Sequence, residues 1–193
     1  MAKKHKGLTF YQRKKKMNFS VIKEIFSYIF IMLFAAFLAA VMTYTFGMST
    51  NVIGVSMEPT LSNGHTIYIN RFAYTLTTPK VGEVIVFLPN GNQNTHYYVK
   101  RVIAVPGDKV FILDGVCYVN GSKSPYVTEK VLDGGIAEVE FTLEAGEYFC
   151  LGDNVNNSED SRSANIGPIK SKDIIGKAWL YLDSEAETLG FIE

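Results

Sequence analysis

Val110-Phe-Ile-Leu-Asp-Gly-Val-Cys-Tyr-Val-Asn-Gly121 consists of two short apolar runs joined by Asp114-Gly115 and followed by Asn120-Gly121. Asp-Gly between β-prone runs suits a two-residue type I′ hairpin, because Gly tolerates the positive φ that such a turn requires. The flanking segments repeat the theme. Thr66–Asn70, Val84–Leu88, Tyr97–Val105, Tyr148–Leu151 and Lys177–Leu182 are apolar and short, and turn residues separate them. Ala137–Glu144 alternates Ala137, Val139, Phe141 and Leu143 with Glu138, Glu140, Thr142 and Glu144, which predicts a strand with one face in water. No comparable helical stripe follows residue 47. The expected fold is mostly β: an antiparallel, barrel-like sheet domain over 48–193, preceded by one transmembrane helix.

That helix is read from Ile25 to Gly47. Ile25–Met57 contains no charged residue, and Ile25–Phe46 is almost wholly apolar. Twenty-two helical residues span about 33 Å, enough for a hydrocarbon core of about 30 Å. Residues 1–24 carry eight Lys/Arg and one acid, so they form a basic tail. Lys and Arg are retained on the cytoplasmic side, which predicts a single-pass protein in the cell membrane with its N-terminus in the cytoplasm and its β-domain outside. A cleaved signal peptide is the rival reading, but its apolar core is shorter and its basic head smaller.

The whole chain has 193 residues, no net charge and 47% apolar residues, which excludes a disordered protein and leaves room for one domain plus an anchor. Beyond residue 24 the balance is net −7, the wrong sign for a nucleic-acid-binding domain. His5, His65 and His96 lack metal-ligand spacing and no CxxC is present, so neither a metal nor another cofactor is expected. Cys117 and Cys150 lie in apolar runs where a thiol packs as a small hydrophobe, although a disulfide is permitted outside the membrane.

Three segments interrupt the apolar pattern with reactive side chains. Gly54-Val-Ser-Met-Glu-Pro-Thr-Leu61 holds a serine shortly after the span, yet most such serines only bond within turns. Tyr98-Val-Lys-Arg-Val-Ile-Ala-Val-Pro-Gly-Asp108 sets two cations in a strand, where alternation sends Lys100 and Arg101 to opposite faces and one to the more buried side. Gly152-Asp-Asn-Val-Asn-Asn-Ser-Glu-Asp-Ser-Arg162 is a polar loop without the ligand pattern of a calcium site.

Together with Gly82-Glu-Val-Ile-Val-Phe87, these blocks resemble, in order, the type I signal peptidases (peptidase S26), specifically the single-span Gram-positive form. The resemblance runs from the span to about Leu182. It implies a membrane-anchored serine endopeptidase that removes signal peptides from exported preproteins by a Ser–Lys dyad, working beside the lipid bilayer and the protein export machinery. It implies Ser56 as nucleophile, Lys100 as general base, Ser158 as hydrogen-bond partner of the amine, and Asp160 and Arg162 as braces. Gly54 stands where Gram-negative members often carry a serine, which would leave the oxyanion to backbone N–H groups, chiefly that of Ser56. Val155 replaces a common Arg. Val52, Ile53, Val55 and Met57 either face lipid and substrate or belong to the core. The alternative function is a non-catalytic anchored β-module assisting pilus or surface-protein assembly. Ser20-Val-Ile-Lys23 matches Ser-x-x-Lys of penicillin-recognising enzymes, but the companion motifs are missing.

Overall fold

The computed structural model describes residues 19–192. Lys3, Lys4, Lys6, Arg13 and Lys14–Lys16 of the expected basic tail lie outside the described residues. Helix α1 (Phe19–Phe46) has a mean hydropathy of 2.5 over its most apolar window and no buried residue. At 1.5 Å per residue its 28 residues measure about 42 Å, long enough to cross a bilayer. An apolar helix with all sides open suits a lipid surround better than water. It begins at least six residues before Ile25, taking in Lys23 and Glu24.

The remainder is antiparallel β-structure, as expected. The strands are β1 (Met48–Asn51), β2 (Thr66–Asn70), β3 (Val84–Phe87), β4 (Tyr98–Ala104), β5 (Lys109–Leu113), β6 (Val116–Val119), β7 (Ser122–Lys123), β8 (Phe141–Thr142), β9 (Glu147–Leu151), β10 (Ile169–Lys170), β11 (Ile174–Asp183) and β12 (Thr188–Phe191). One short helix, α2 (Ala73–Leu76), intervenes. The larger sheet runs β1-β2-β11-β3-β4-β9-β10 with β12 also on β11, and the smaller runs β7-β6-β5-β8.

Local chemistry explains the elements that matter. Asp114 and Gly115 both have positive φ (53° and 81°), the type I′ signature, and join β5 to β6 with Val110 opposite Val119. Val84–Phe87 is buried at every position, which is why it reads as a continuous apolar run rather than an alternating one. Val84 and Val86 join a core with Met57, Leu61, Ile67 and Ile69. Ile85 and Phe87 join another with Val102, Tyr148 and Cys150. A third core, around Val110, Ile112, Phe149 and Leu151, ties the smaller sheet to β9.

One expectation needs correction. Ala137–Glu144 is not a strand. Gly135–Glu138 forms a 3-10 turn and only Phe141–Thr142 pairs, with Lys109 and Val110. Gly135 has φ +54°, the Ile136 N–H donates to the Arg162 carbonyl, and Val139 points into solvent at 75% exposure. Alternation was present, but no ladder partner was. On β4 neither Lys100 nor Arg101 is left to solvent. Both are buried, at 4% and 7% exposure. Strand β4 lies between β3 and β9, and every residue from Val99 to Ala104 is buried, so both its edges are paired and both its faces covered.

Cys117 and Cys150 are buried, free and in different cores. Burial pushes the Cys117 thiol up to about 11 and the Cys150 thiol higher still, with Asp160 adding to the latter. After Asp183 the chain turns back as β12, which pairs with Leu180–Asp183 of β11.

Candidate functional site

Ser56 lies in the turn after β1, and Lys100 sits at the middle of β4 opposite Ile85. The fold brings them together: Lys100 Nζ donates to Ser56 Oγ at 2.7 Å. Burial holds the Lys100 amine at about 8, against an ordinary 10.5. Asp160, Glu159, Cys150 and Asp153 pull it back upward, and burial outweighs them. Tyr98, two residues earlier on the same strand face, places its ring centroid 5.5 Å from Nζ. No carboxylate forms an ion pair with Lys100 among the described residues.

The nucleophile candidate is fixed through its backbone. Asn154 N–H donates to the Ser56 carbonyl at 3.1 Å, and Asn154 Nδ2 donates to the Val55 carbonyl at 3.1 Å. Gly54 takes φ +87°, a region that favours glycine, and its N–H donates to Asn63 Oδ1. Around Ser56 the apolar side chains alternate. Val52 and Met57 are core, whereas Ile53 and Val55 are exposed. The core reading thus holds for Val52 and Met57.

Loop 152–162 forms the opposite wall, and a buried ion pair braces it. Arg162 Nε and Nη2 donate to the two oxygens of Asp160, which is 1% exposed. The Gly152 N–H donates to the same carboxylate at 3.2 Å. Arg162 also donates to the carbonyls of Asp133, Val155 and Ser158. Asp160 and Arg162 thus pair with each other and tie the loop together. Ser158 differs. Its hydroxyl is buried but has no hydrogen-bond partner among the described residues, so the expected bond to the Lys100 amine is not formed.

Sequence reading missed several contributors. Arg101 makes a two-pronged bond to Asp153, with Nε and Nη2 each at 2.7 Å from a carboxylate oxygen, and Nη1 donates to the Gly82 carbonyl. This joins β4 to the loop just behind Lys100. Gly152 is demanded by crowding: a Cβ there would collide with the Ser56 carbonyl and the Ser158 hydroxyl. The only signal for it was its place at the head of the Gly-Asp-Asn block. Tyr98 donates to Glu159 Oε2 at 3.1 Å, and partial burial and that carboxylate both raise the phenol's pKa.

Ser56 and Lys100 open into a cavity of about 410 Å³. Its lining includes the apolar Val52, Ile53, Val55 and Met57 and the polar His96, Tyr98, Asn157 and Glu159. A hydroxyl touching a buried, easily neutralised amine within such a cleft can act as a nucleophile towards an acyl group.

The chain is similar to known proteins over most of its length. A family model described as signal peptidase, peptidase S26, matches residues 23–182. Signal peptidase I of Bacillus caldolyticus is 38% identical over 140 residues, covering 65% of this chain and 74% of that protein. Signal peptidase IB of Staphylococcus aureus (strain N315) is 38% identical over 141 residues, covering 64% and 71%. A crystal structure of a signal peptidase I from Enterococcus faecalis V583 aligns with a TM-score of 0.41 at 28% identity, over 52% of this chain and 97% of that one.

Proposed function

The chain belongs to the signal peptidase family, peptidase S26, and on that premise we propose that it is a membrane-anchored serine endopeptidase that removes signal peptides from exported preproteins through Ser56 and Lys100. The observation that carries the dyad is the 2.7 Å contact between Ser56 Oγ and an amine whose pKa burial holds near 8.

In the neutral form Lys100 accepts the Ser56 proton as Oγ attacks the scissile carbonyl carbon. The C–N bond then breaks, and the Lys100 ammonium returns the proton to the departing amine. A water molecule attacks the Ser56 acyl ester with Lys100 again as base, releasing the carboxylic acid and regenerating the hydroxyl. Backbone N–H groups, chiefly that of Ser56, stabilise the oxyanion. Asp160 and Arg162 hold loop 152–162, and Gly152 and Asn154 hold the Ser56 backbone against it.

We assign residues 1–24 to a cytoplasmic tail, 25–47 to the membrane span and 48–193 to an extracytoplasmic peptidase domain. Ser56 lies only ten residues beyond Phe46, a tether of at most about 36 Å, so the reaction takes place near the outer lipid boundary. A signal peptide leaving the export machinery presents its cut site there while its apolar segment remains in lipid. Strand β1 forms a sheet edge that leads directly into Ser56, and an extended substrate can pair with it.

The test is cleavage of a preprotein by the purified full-length chain in detergent. Wild type should release the mature protein, and Ser56→Ala and Lys100→Ala should not. Retained cleavage by either variant refutes the dyad.

A further inference from the structure

One carboxylate stands inside the cleft and has no part in the proposed dyad. Glu159 follows Ser158 on loop 152–162 and is the only Asp or Glu among the described residues lining the 410 Å³ cavity. Its backbone is anchored on the following side by the buried Asp160–Arg162 pair. The bonds from Cys150 N–H to Ser161 Oγ (3.0 Å) and from Ser161 N–H to the Cys150 carbonyl (3.1 Å) anchor it further. Its side chain is held from the facing strand, because the Tyr98 hydroxyl donates to Oε2 at 3.1 Å. Tyr98 is the neighbour of Lys100 on the same face of β4. The carboxylate is therefore held in place beside the cleft by Tyr98.

A phenol donor orients a carboxylate without neutralising it. Glu159 makes no ion pair with Lys or Arg among the described residues. When Lys100 is neutral, as the reaction requires, an acyl-transfer cleft lined by Val52, Ile53, Val55 and Met57 also carries an uncompensated negative charge. A cationic substrate side chain gains from that charge and an anionic one is repelled.

We propose that Glu159, oriented by Tyr98, is a specificity residue of this cleft that favours preproteins carrying Lys or Arg close to the scissile bond and disfavours those carrying Asp or Glu there. The proposal rests on the peptidase reading above. Glu159 is exposed, so the effect is that of one partly screened charge. Attraction of Lys and repulsion of Glu together should amount to about tenfold in kcat/KM.

The experiment uses full-length protein in detergent micelles at about pH 9, where Lys100 is neutral. A neutral cleavable peptide is varied by placing a single Lys or Glu at each position flanking the cut. Wild type should prefer Lys over Glu by about tenfold at one or two adjacent positions and show little preference elsewhere. Glu159→Gln should bring that ratio close to one, and Glu159→Lys should invert it. Tyr98→Phe, which keeps the carboxylate but releases it, should reduce the ratio without inverting it. Each ratio is taken within one variant, so a general loss of activity does not imitate the effect. A wild type that cuts the neutral peptide but shows no charge preference overturns the proposal, as does a preference unchanged in Glu159→Gln. A wild type that cuts none of the peptides overturns the peptidase reading and this proposal with it.

Discussion

Replacing Lys100 with Met should abolish peptide cleavage and yet make the fold more stable at neutral pH. Lys100 is 4% exposed and its amine titrates near 8, against 10.5 when unburied. The native state therefore binds the proton less tightly than the unfolded chain does. At one pKa unit per 1.36 kcal/mol, the protonated amine destabilises the native state by about 3 kcal/mol below pH 8. The penalty fades between pH 8 and 10.5 as the unfolded chain also loses its proton. Met fills similar volume with no charge to desolvate. The lost bond to Ser56 takes back about 1 kcal/mol or less, because that hydroxyl is half-buried and can turn to water. The net gain at pH 7 should be about 2 kcal/mol, shrinking towards zero or below by about pH 10.5. Urea unfolding in detergent micelles, followed by Trp179 fluorescence at a series of pH values, measures the difference. Equal stability of the two proteins at pH 7, with parallel pH curves, would refute the reasoning, because it would mean that the amine is not desolvated.

Other outcomes follow from the same geometry. The base works only when neutral, so kcat/KM should rise tenfold per pH unit below about pH 8 and level off above it, as a pH–rate series will show. Asp160→Ala leaves the buried Arg162 guanidinium without its carboxylate and should cost about 3 kcal/mol in urea unfolding. Gly152→Ala pushes a methyl group against the Ser56 carbonyl and the Ser158 hydroxyl; kcat should fall about 100-fold while circular dichroism stays native.

Much of this molecule is legible in its sequence, and the failures share a cause. The Asp114-Gly115 hairpin, the strand expected at Val84–Leu88 and the apolar helix are local patterns, and each forms, the strand ending at Phe87 and the helix already present at Phe19. The Ser56 and Lys100 blocks could be paired only through resemblance to a family, since 44 residues separate two side chains that end 2.7 Å apart. Ala137–Glu144 misled because alternation describes a side-chain period and says nothing about a hydrogen-bonding neighbour. Strand β1, Met-Ser-Thr-Asn, is too short and polar to announce itself and forms by pairing with β2. Arg101 and Asp153 are 52 residues apart, so nothing local announced that both cations of β4 could be buried. The Tyr98–Glu159 bond spans 61 residues and was invisible for the same reason.

The most direct test is to titrate one nitrogen. Full-length protein with isotope-labelled lysine side chains, the Lys100 signal being assigned by its absence in Lys100→Met, can be followed by NMR from about pH 6 to 11. Half-protonation of Lys100 near pH 8 is the expected result. A midpoint above about pH 10, that of a lysine in water, would contradict it and leave Ser56 without a base.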